Sequence, residues 1–229
     1  YRVTEEQCAK VVVKNLGNAL RNPCADRKRR ISIEDVMRSE RVYDPLKALE
    51  CAPKSDGVVA VLLASESRAK KLTKKPVWLA GYGCSMDHFN PGDRNLLNGH
   101  LRIAAEKAYR AAGIRDPRKR IHVAEVCEPY AFQELLWCEQ LGFCNEGKGG
   151  HMIDSGMTEM DGELPVNPSG GVLATNPYPA RGLYRIAEAA LQVKGEAGEH
   201  QVGRKVKTAL AHSTHGFGGQ CHSVVILSA

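Results

Sequence analysis

The sequence predicts an α/β fold in which a mixed five-stranded sheet is covered by helices. Two features carry this. Short apolar runs bounded by turn residues mark strands buried on both faces, and the segments between them place apolar residues at three- and four-residue spacing, as amphipathic helices do. A chain of 229 residues, 43% of them hydrophobic, is long enough to build a full core. Sheets of this kind put their sites in the loops at strand ends.

Taken in order, Thr4-Glu5-Glu6 caps a first helix whose apolar positions include Cys8, Val11, Val12, Leu16 and Leu20, and Asn22-Pro23 ends it. Residues 24–56 are basic and irregular, with a short helical piece after Ser32 and turn signals at Asp44-Pro45 and Ser55-Asp56-Gly57. Strands are predicted at Gly57 to Ala64, Val77 to Tyr82, Ile121 to Val126 and Ser223 to Leu227, with a weaker fifth at Lys207 to Ala211. Helix patterns run from Leu97 to Ala112, Phe132 to Leu141 and Leu183 to Val193. There is no internal repeat and no low-complexity tract.

Composition narrows the function classes. No stretch approaches the roughly 20 apolar residues that a membrane helix needs, and Tyr1-Arg2-Val3-Thr4-Glu5-Glu6 holds no apolar signal core, so a soluble cytoplasmic chain is expected. The first residue is not methionine and a helix pattern follows almost at once, as expected of a chain that starts inside a longer polypeptide or was processed. Eight cysteines without a CxxC pair, in a chain too large to need disulfide staples, point to free thiols in a reducing compartment. The net charge of +6 suits a polyanionic ligand. Nucleic acid fits poorly, because the charge lies in short runs such as Arg27-Lys28-Arg29-Arg30 with almost no interleaved aromatics.

Three polar, glycine-rich loops carry the candidate chemistry. The first, Glu125-Val126-Cys127-Glu128-Pro129-Tyr130, places a thiol at a strand end, where a helix terminus or a cation would make it a proton donor or nucleophile; an inert buried cysteine is the bland alternative. In the second, Asn167-Pro168-Ser169-Gly170-Gly171 and Thr175-Asn176-Pro177-Tyr178-Pro179-Ala180-Arg181-Gly182, the paired glycines allow close backbone approach and the polar turn suits an anion or oxyanion, unless Asn176 is simply a helix cap. The third, His212 to His222, holds three histidines and a cysteine. It is glycine-rich and lacks a CxxC partner, so no metal site is expected; a histidine beside glycines at a strand end reads as a general acid–base group.

With these loops in view, Glu134-Leu135-Leu136, Glu139 to Gly142, Asn167 to Gly171 and Gly195 to Val202 resemble the C-terminal half of sterol-carrier-protein-type thiolases. Tyr1 to Pro23, Pro45-Leu46 and Ser55-Asp56-Gly57 resemble that family's loop domain and the last strand of its N-terminal half. The resemblance spans essentially the whole chain and implies a boundary, with residues 1–75 as loop-domain remainder and last N-terminal strand and residues 76–229 as the C-terminal thiolase domain. The family's nucleophilic cysteine sits in the N-terminal half, upstream of anything in this sequence.

By that resemblance, the family's oxyanion-hole Asn or His aligns with Cys127, its nucleophile-activating histidine with Asn176, and its second, acid–base cysteine with His215. Every standard acid–base position is changed. Glu128, Gly218 and Gly219 fall where loop and oxyanion support is expected, and Arg27, Arg29 and Arg30 are candidates to meet coenzyme A phosphates. The changes resemble a divergent branch, the thiolase-like aldolases of steroid side-chain cleavage and the thiolases of aromatic succinyl-CoA pathways. That branch has Asn-Pro in place of Gly-His-Pro and works with a small zinc-ribbon/OB-fold protein; its aldolases carry tyrosines where this chain has Cys127 and His215. The resemblance implies a thiolase-type acyltransferase acting on a β-ketoacyl-CoA, with coenzyme A as substrate, no resident cofactor, an N-terminal half on the same or another chain, and a thiolase-type dimer. A β-hydroxyacyl-CoA aldolase and a noncatalytic acyl-CoA-binding subunit are the alternatives.

Overall fold

A computed structural model describes residues 3–94 and 99–229. Helix α1 (Glu5–Ala19) starts where expected: the Thr4 side chain accepts from the Gln7 amide while Gln7 reaches back to the Thr4 amide, so two orphan donors are satisfied reciprocally. Ser32 and Asp35 repeat that device at α2 (Ile33–Arg38). A small hairpin follows, β1 (Arg41–Tyr43) with β2 (Leu46–Lys47), turning at Asp44-Pro45. The remaining elements are α3 (Glu66–Leu72), β3 (Trp78–Met86), α4 (His100–Ala111), α5 (Pro117–Arg120), β4 (Val123–Glu125), α6 (Ala131–Gln140), α7 (Gly149–Asp154), α8 (Gly171–Ala174), α9 (Arg181–Lys194), β5 (Thr208–His215) and β6 (Cys221–Ser228).

The main sheet has four strands in the order β3-β6-β5-β4, with β4 parallel to β5 and the other pairs antiparallel. It is therefore mixed, but the expected fifth strand is missing. Gly57 to Ala64 forms no strand, and its Val58, Leu62 and Leu63 are 91%, 86% and 78% exposed. A continuous apolar run shows that a segment wants burial on both faces and cannot show what supplies it; no sheet strand lies beside this one among the described residues. Its ties are a Tyr184 hydroxyl donating to the Val58 carbonyl at 3.2 Å and a bridge from Ser55 to Pro177.

Three strands outrun their prediction. β3 continues past Tyr82 to Met86 in antiparallel register with β6, and Gly81 and Gly83 let the backbone of α4 approach: a Cβ on Gly83 would lie 2.0 Å from the Ala104 carbonyl oxygen. β5 and β6 absorb most of the segment read as a polar loop, leaving only residues 216–220 as the turn between them. The histidines misled that reading, because His212 and His222 occupy inward positions of the strand alternation and are buried. The helix predicted from Leu97 is found from His100; Leu97 itself lies outside the described residues.

Sheet alternation separates the core into two faces. Ala124, Leu210, Val224 and Ile226 pack against α4 and α6, while Val123, Ala209, Ala211, Val225 and Leu227 pack against α9. A third cluster seats Val11, Val12 and Leu16 of α1 on Ala131, Leu135, Leu173 and Ala174. This layering brings the C-terminal ends of the parallel strands β4 and β5 together, and the candidate loops leave from those ends.

Candidate active site

Cys127 lies just past β4, after Val126, and is fully buried. Its amide donates to His212 Nδ1 at 3.3 Å, its carbonyl accepts from Trp137 Nε1 at 2.9 Å, and its Sγ lies 4.0 Å from the Thr214 carbonyl. Burial pushes the thiol pKa up, with the Arg181 charge opposing. This thiol has no thiolate-stabilising setting, so the environment favours the protonated, unreactive form.

Glu128 points inward. Its Oε1 accepts from the Leu173 amide at 3.1 Å and from Asn15 Nδ2 at 3.2 Å, and its carboxyl pKa is pushed up to about 8 by burial first and by neighbouring Glu134 second. The glycine pair serves this contact. Gly170 and Gly171 have φ of 100° and 67°, and a Cβ on Gly171 would meet Glu128 Oε1 at 2.0 Å. The turn read as a cradle for an external anion is thus filled from within, by a carboxyl group of the chain itself. Around it Lys14 and Glu134 pair at 3.0 Å, Asn167 binds both Glu134 and the Val126 amide, and Arg185 binds Glu125 and Ser169. These buried groups fix the loop after β4 against α1 and the Asn167 turn.

Asn176 is not a helix cap, since Ala180 occupies the N-cap position of α9 without a side-chain bond. Its Nδ2 donates to the Pro53 carbonyl at 2.8 Å and its backbone amide donates to Ser55 Oγ at 3.1 Å. The amide orientation is set by Pro53, whose carbonyl can only accept, which leaves Oδ1 buried without a partner.

His215 ends β5 and is exposed. Its Nδ1 lies 3.4 Å from the Tyr178 hydroxyl, and the two rings stack at 5.7 Å with 19° between planes. The Arg181 guanidinium sits 5.1 Å over the Tyr178 ring and donates from Nη2 to the Thr214 carbonyl at 3.0 Å. Gly216, Gly218 and Gly219 all have positive φ in the turn that follows. Arg94 clasps that turn, donating to the carbonyls of Phe217, His88 and Phe89.

Behind the loops lies a pair of buried histidines. Because the Cys127 amide donates to His212 Nδ1, the His212 hydrogen sits on Nε2 and is directed at His222 Nδ1, 3.1 Å away. The rings stack on each other and meet Trp137 edge-on. Burial holds both pKa values down, that of His222 to about 4. Among the described residues no group of three histidine, cysteine or acidic side chains is placed to hold a metal ion.

The structure brings Cys127 and His215 together through Thr214, with Gly218 and Gly219 in the adjoining turn and Glu128 in the layer beneath. Arg27 donates to the Cys51 carbonyl at 3.2 Å, whereas Arg29 and Arg30 line a separate cavity of about 870 Å³ beside α1 whose walls include none of Cys127, Asn176 or His215. Sequence reasoning assigned no separate role to Tyr178, Arg181 or Thr214, and it placed His212 and His222 in a polar loop rather than as a buried pair on two strands. The alternation of His212 with Thr214 was the one available signal for the strand.

Residues 83–229 match the family model for thiolase C-terminal domain-like sequences. The chain is 36% identical over 225 residues to the acetyl-CoA acetyltransferase of Methanothermobacter thermautotrophicus, an alignment covering 96% of this chain and 57% of the relative. It is 36% identical to sterol carrier protein 2 of Oryctolagus cuniculus, covering 96% and 41%, and 32% identical to the benzoylsuccinyl-CoA thiolase subunit BbsB of Thauera aromatica, covering 96% and 57%. Among solved structures, an Ltp2-ChsH2(DUF35) aldolase superposes with a TM-score of 0.86 at 29% identity, covering 100% of this chain and 59% of that one. The chain spans about half the length of the curated relatives it matches.

Proposed function

This chain belongs to the thiolase family, and from that premise we propose that it supplies the acid–base part of a site that breaks or forms a carbon–carbon bond in an acyl-coenzyme A. The observation that carries the reading is His215, an exposed imidazole at the end of β5, seated on a glycine turn and backed by a rigid buried network. An imidazole offers one nitrogen that donates and one that accepts, which suits it to general acid–base exchange at a reacting carbon or oxygen. Cys127 and Glu128 support the loop from behind rather than titrate at the surface. The developing thioester enolate is held by the Gly218 amide, in a turn that the Gly219 amide closes by donating to the Gly216 carbonyl, and by the second amide hydrogen of Asn176; one such donor typically contributes about 3 kcal/mol to lowering a barrier.

The complete protein is then a thiolase-type acyltransferase acting on a β-ketoacyl-CoA. Its nucleophilic cysteine comes from an N-terminal half, on the same longer chain or on a separate subunit, and the thiolase-type dimer is retained. The exposed apolar run Gly57 to Ala64 supports a missing neighbour, because its pattern is that of a sheet strand. Arg29 and Arg30 are available to coenzyme A phosphates; Arg27 is committed to Cys51.

A second reading, retro-aldol cleavage of a β-hydroxyacyl-CoA, is favoured by two observations. The enclosed Cys127 leaves proton exchange at this end of the site to His215, and the likeness to the Ltp2-ChsH2(DUF35) aldolase is extensive. The small zinc-ribbon/OB-fold partner belongs to this reading. The test assays the purified complex with β-ketoacyl-CoA plus CoA and with β-hydroxyacyl-CoA, before and after His215→Ala. Acyl-CoA release that requires CoA identifies the thiolase, and aldehyde or ketone release without CoA identifies the aldolase; in both cases His215→Ala lowers kcat by about 100-fold or more. Turnover of neither substrate would leave a noncatalytic subunit, and an unaffected variant would remove His215 from the reaction.

A further inference from the structure

The contact between Tyr178 and His215 carries an inference that rests on the functional reading above. We propose that Tyr178 is a positioning residue for His215: its hydroxyl engages Nδ1 and Arg181 fixes its ring, so that Nε2 is the nitrogen that exchanges a proton with substrate.

An exposed imidazole on the last residue of a strand has several side-chain rotamers open to it. Here one is selected by stacking on the Tyr178 ring and by the 3.4 Å approach of the phenol oxygen to Nδ1. Tyr178 is itself 62% exposed and would be mobile without the guanidinium 5.1 Å over its face. That same guanidinium is anchored at the Thr214 carbonyl, one residue before His215. The contacts close a ring: His215 to Tyr178, Tyr178 to Arg181, Arg181 to Thr214, and Thr214 by peptide bond back to His215. Two separate segments, the turn before α9 and the end of β5, are thereby held in register around one nitrogen.

The phenol adds a chemical property that a purely apolar neighbour would lack. A hydroxyl can donate or accept, so it satisfies Nδ1 in either neutral tautomer. With hydrogen on Nδ1, the ring donates to the phenol oxygen and the Nε2 lone pair takes a proton from substrate, giving the imidazolium. Release of that proton from Nε2 to the reacting carbon or oxygen restores the neutral ring, and no other species is consumed. In the condensation direction the ring starts as the imidazolium, Nδ1 donating to the phenol oxygen, and Nε2 delivers its proton to the reacting carbon or oxygen to leave the neutral ring. The same pair therefore serves cleavage and condensation.

The test uses the purified complete enzyme carrying ¹⁵N-labelled histidine. Tyr178→Phe keeps the ring stack and the guanidinium contact and removes only the hydroxyl; Tyr178→Leu removes both. Expected for Tyr178→Phe is a kcat about ten-fold lower with KM within two-fold, and displaced ¹⁵N shifts of the His215 ring nitrogens, which report the tautomer ratio. Tyr178→Leu falls further. Wild-type kcat and unchanged shifts in Tyr178→Phe, in an enzyme that His215→Ala inactivates, would overturn this inference alone. Full activity in His215→Ala would instead overturn the functional reading beneath it, while the shifts still report the pairing itself.

Discussion

At the scale of the residue, the informative groups are the ones held away from their usual charge. His222 is buried, stacked and paired with His212, and its pKa is held down to about 4 by burial first and by nearby His100 second. The unfolded chain binds a proton near pH 6.5 and the folded chain does not until about pH 4, so folded stability is complete above pH 6.5 and falls as pH drops through that window. Between pH 7 and 4.5 the loss from this residue is on the order of 2 to 3 kcal/mol. Glu128, with its pKa raised, works in the opposite sense over part of the range, so the comparison must be made against His222→Gln, which keeps a donor and an acceptor but does not titrate. The urea midpoint of the variant, lower than wild type at pH 7, is expected to close on it or overtake it at pH 4.5; a gap constant with pH would show that His222 does not titrate on unfolding. Cys127, Asn176 and His215 could be singled out in the sequence as candidates because they depart from a recognisable pattern. Tyr178 and Arg181 could not, since nothing in Tyr178-Pro179-Ala180-Arg181 says that a strand 33 residues downstream in sequence ends beside it.

At the scale of the element, the helices were legible and the sheet was partly so. Thr4 and Ser32 announce their helices by capping chemistry that is local in sequence, whereas the length of β3 is set by its pairing with β6, a long-range partner. Gly81 and Gly83 in β3 look like strand breakers; in the structure they let α4 approach. A Cβ at Gly83 would meet Ala104 O at 2.0 Å and Ala108 N at 2.7 Å, both backbone atoms that cannot move aside singly. Gly83→Ala is therefore expected to destabilise by about 3 kcal/mol, at the upper end of overpacking effects, and to lower the thermal midpoint by several degrees. Gly17→Ala, where a Cβ meets nothing within 4 Å, serves as the control and should hold or raise that midpoint. Equal midpoints for the two variants would mean that β3 and α4 are not packed through their backbones.

At the scale of the whole molecule, the chain presents a finished core on the C-terminal domain and an unfinished surface around Gly57 to Ala64. The run was predicted as a fifth strand and forms none among the described residues: an apolar pattern records a preference for burial and does not say what supplies it. On the function proposed above, the completed site moves a proton at the carbon next to an acyl-CoA thioester, through His215, whichever bond-breaking reaction it serves. Thiolysis and retro-aldol cleavage both pass through the same enolate, so the most direct measurement is solvent exchange. The complete enzyme is incubated in D₂O with short acyl-CoA esters and deuterium at C2 is read by mass spectrometry. The account predicts incorporation with at least one ester, reduced by about 100-fold or more in His215→Ala; no incorporation with any ester, or equal incorporation in the variant, would contradict it.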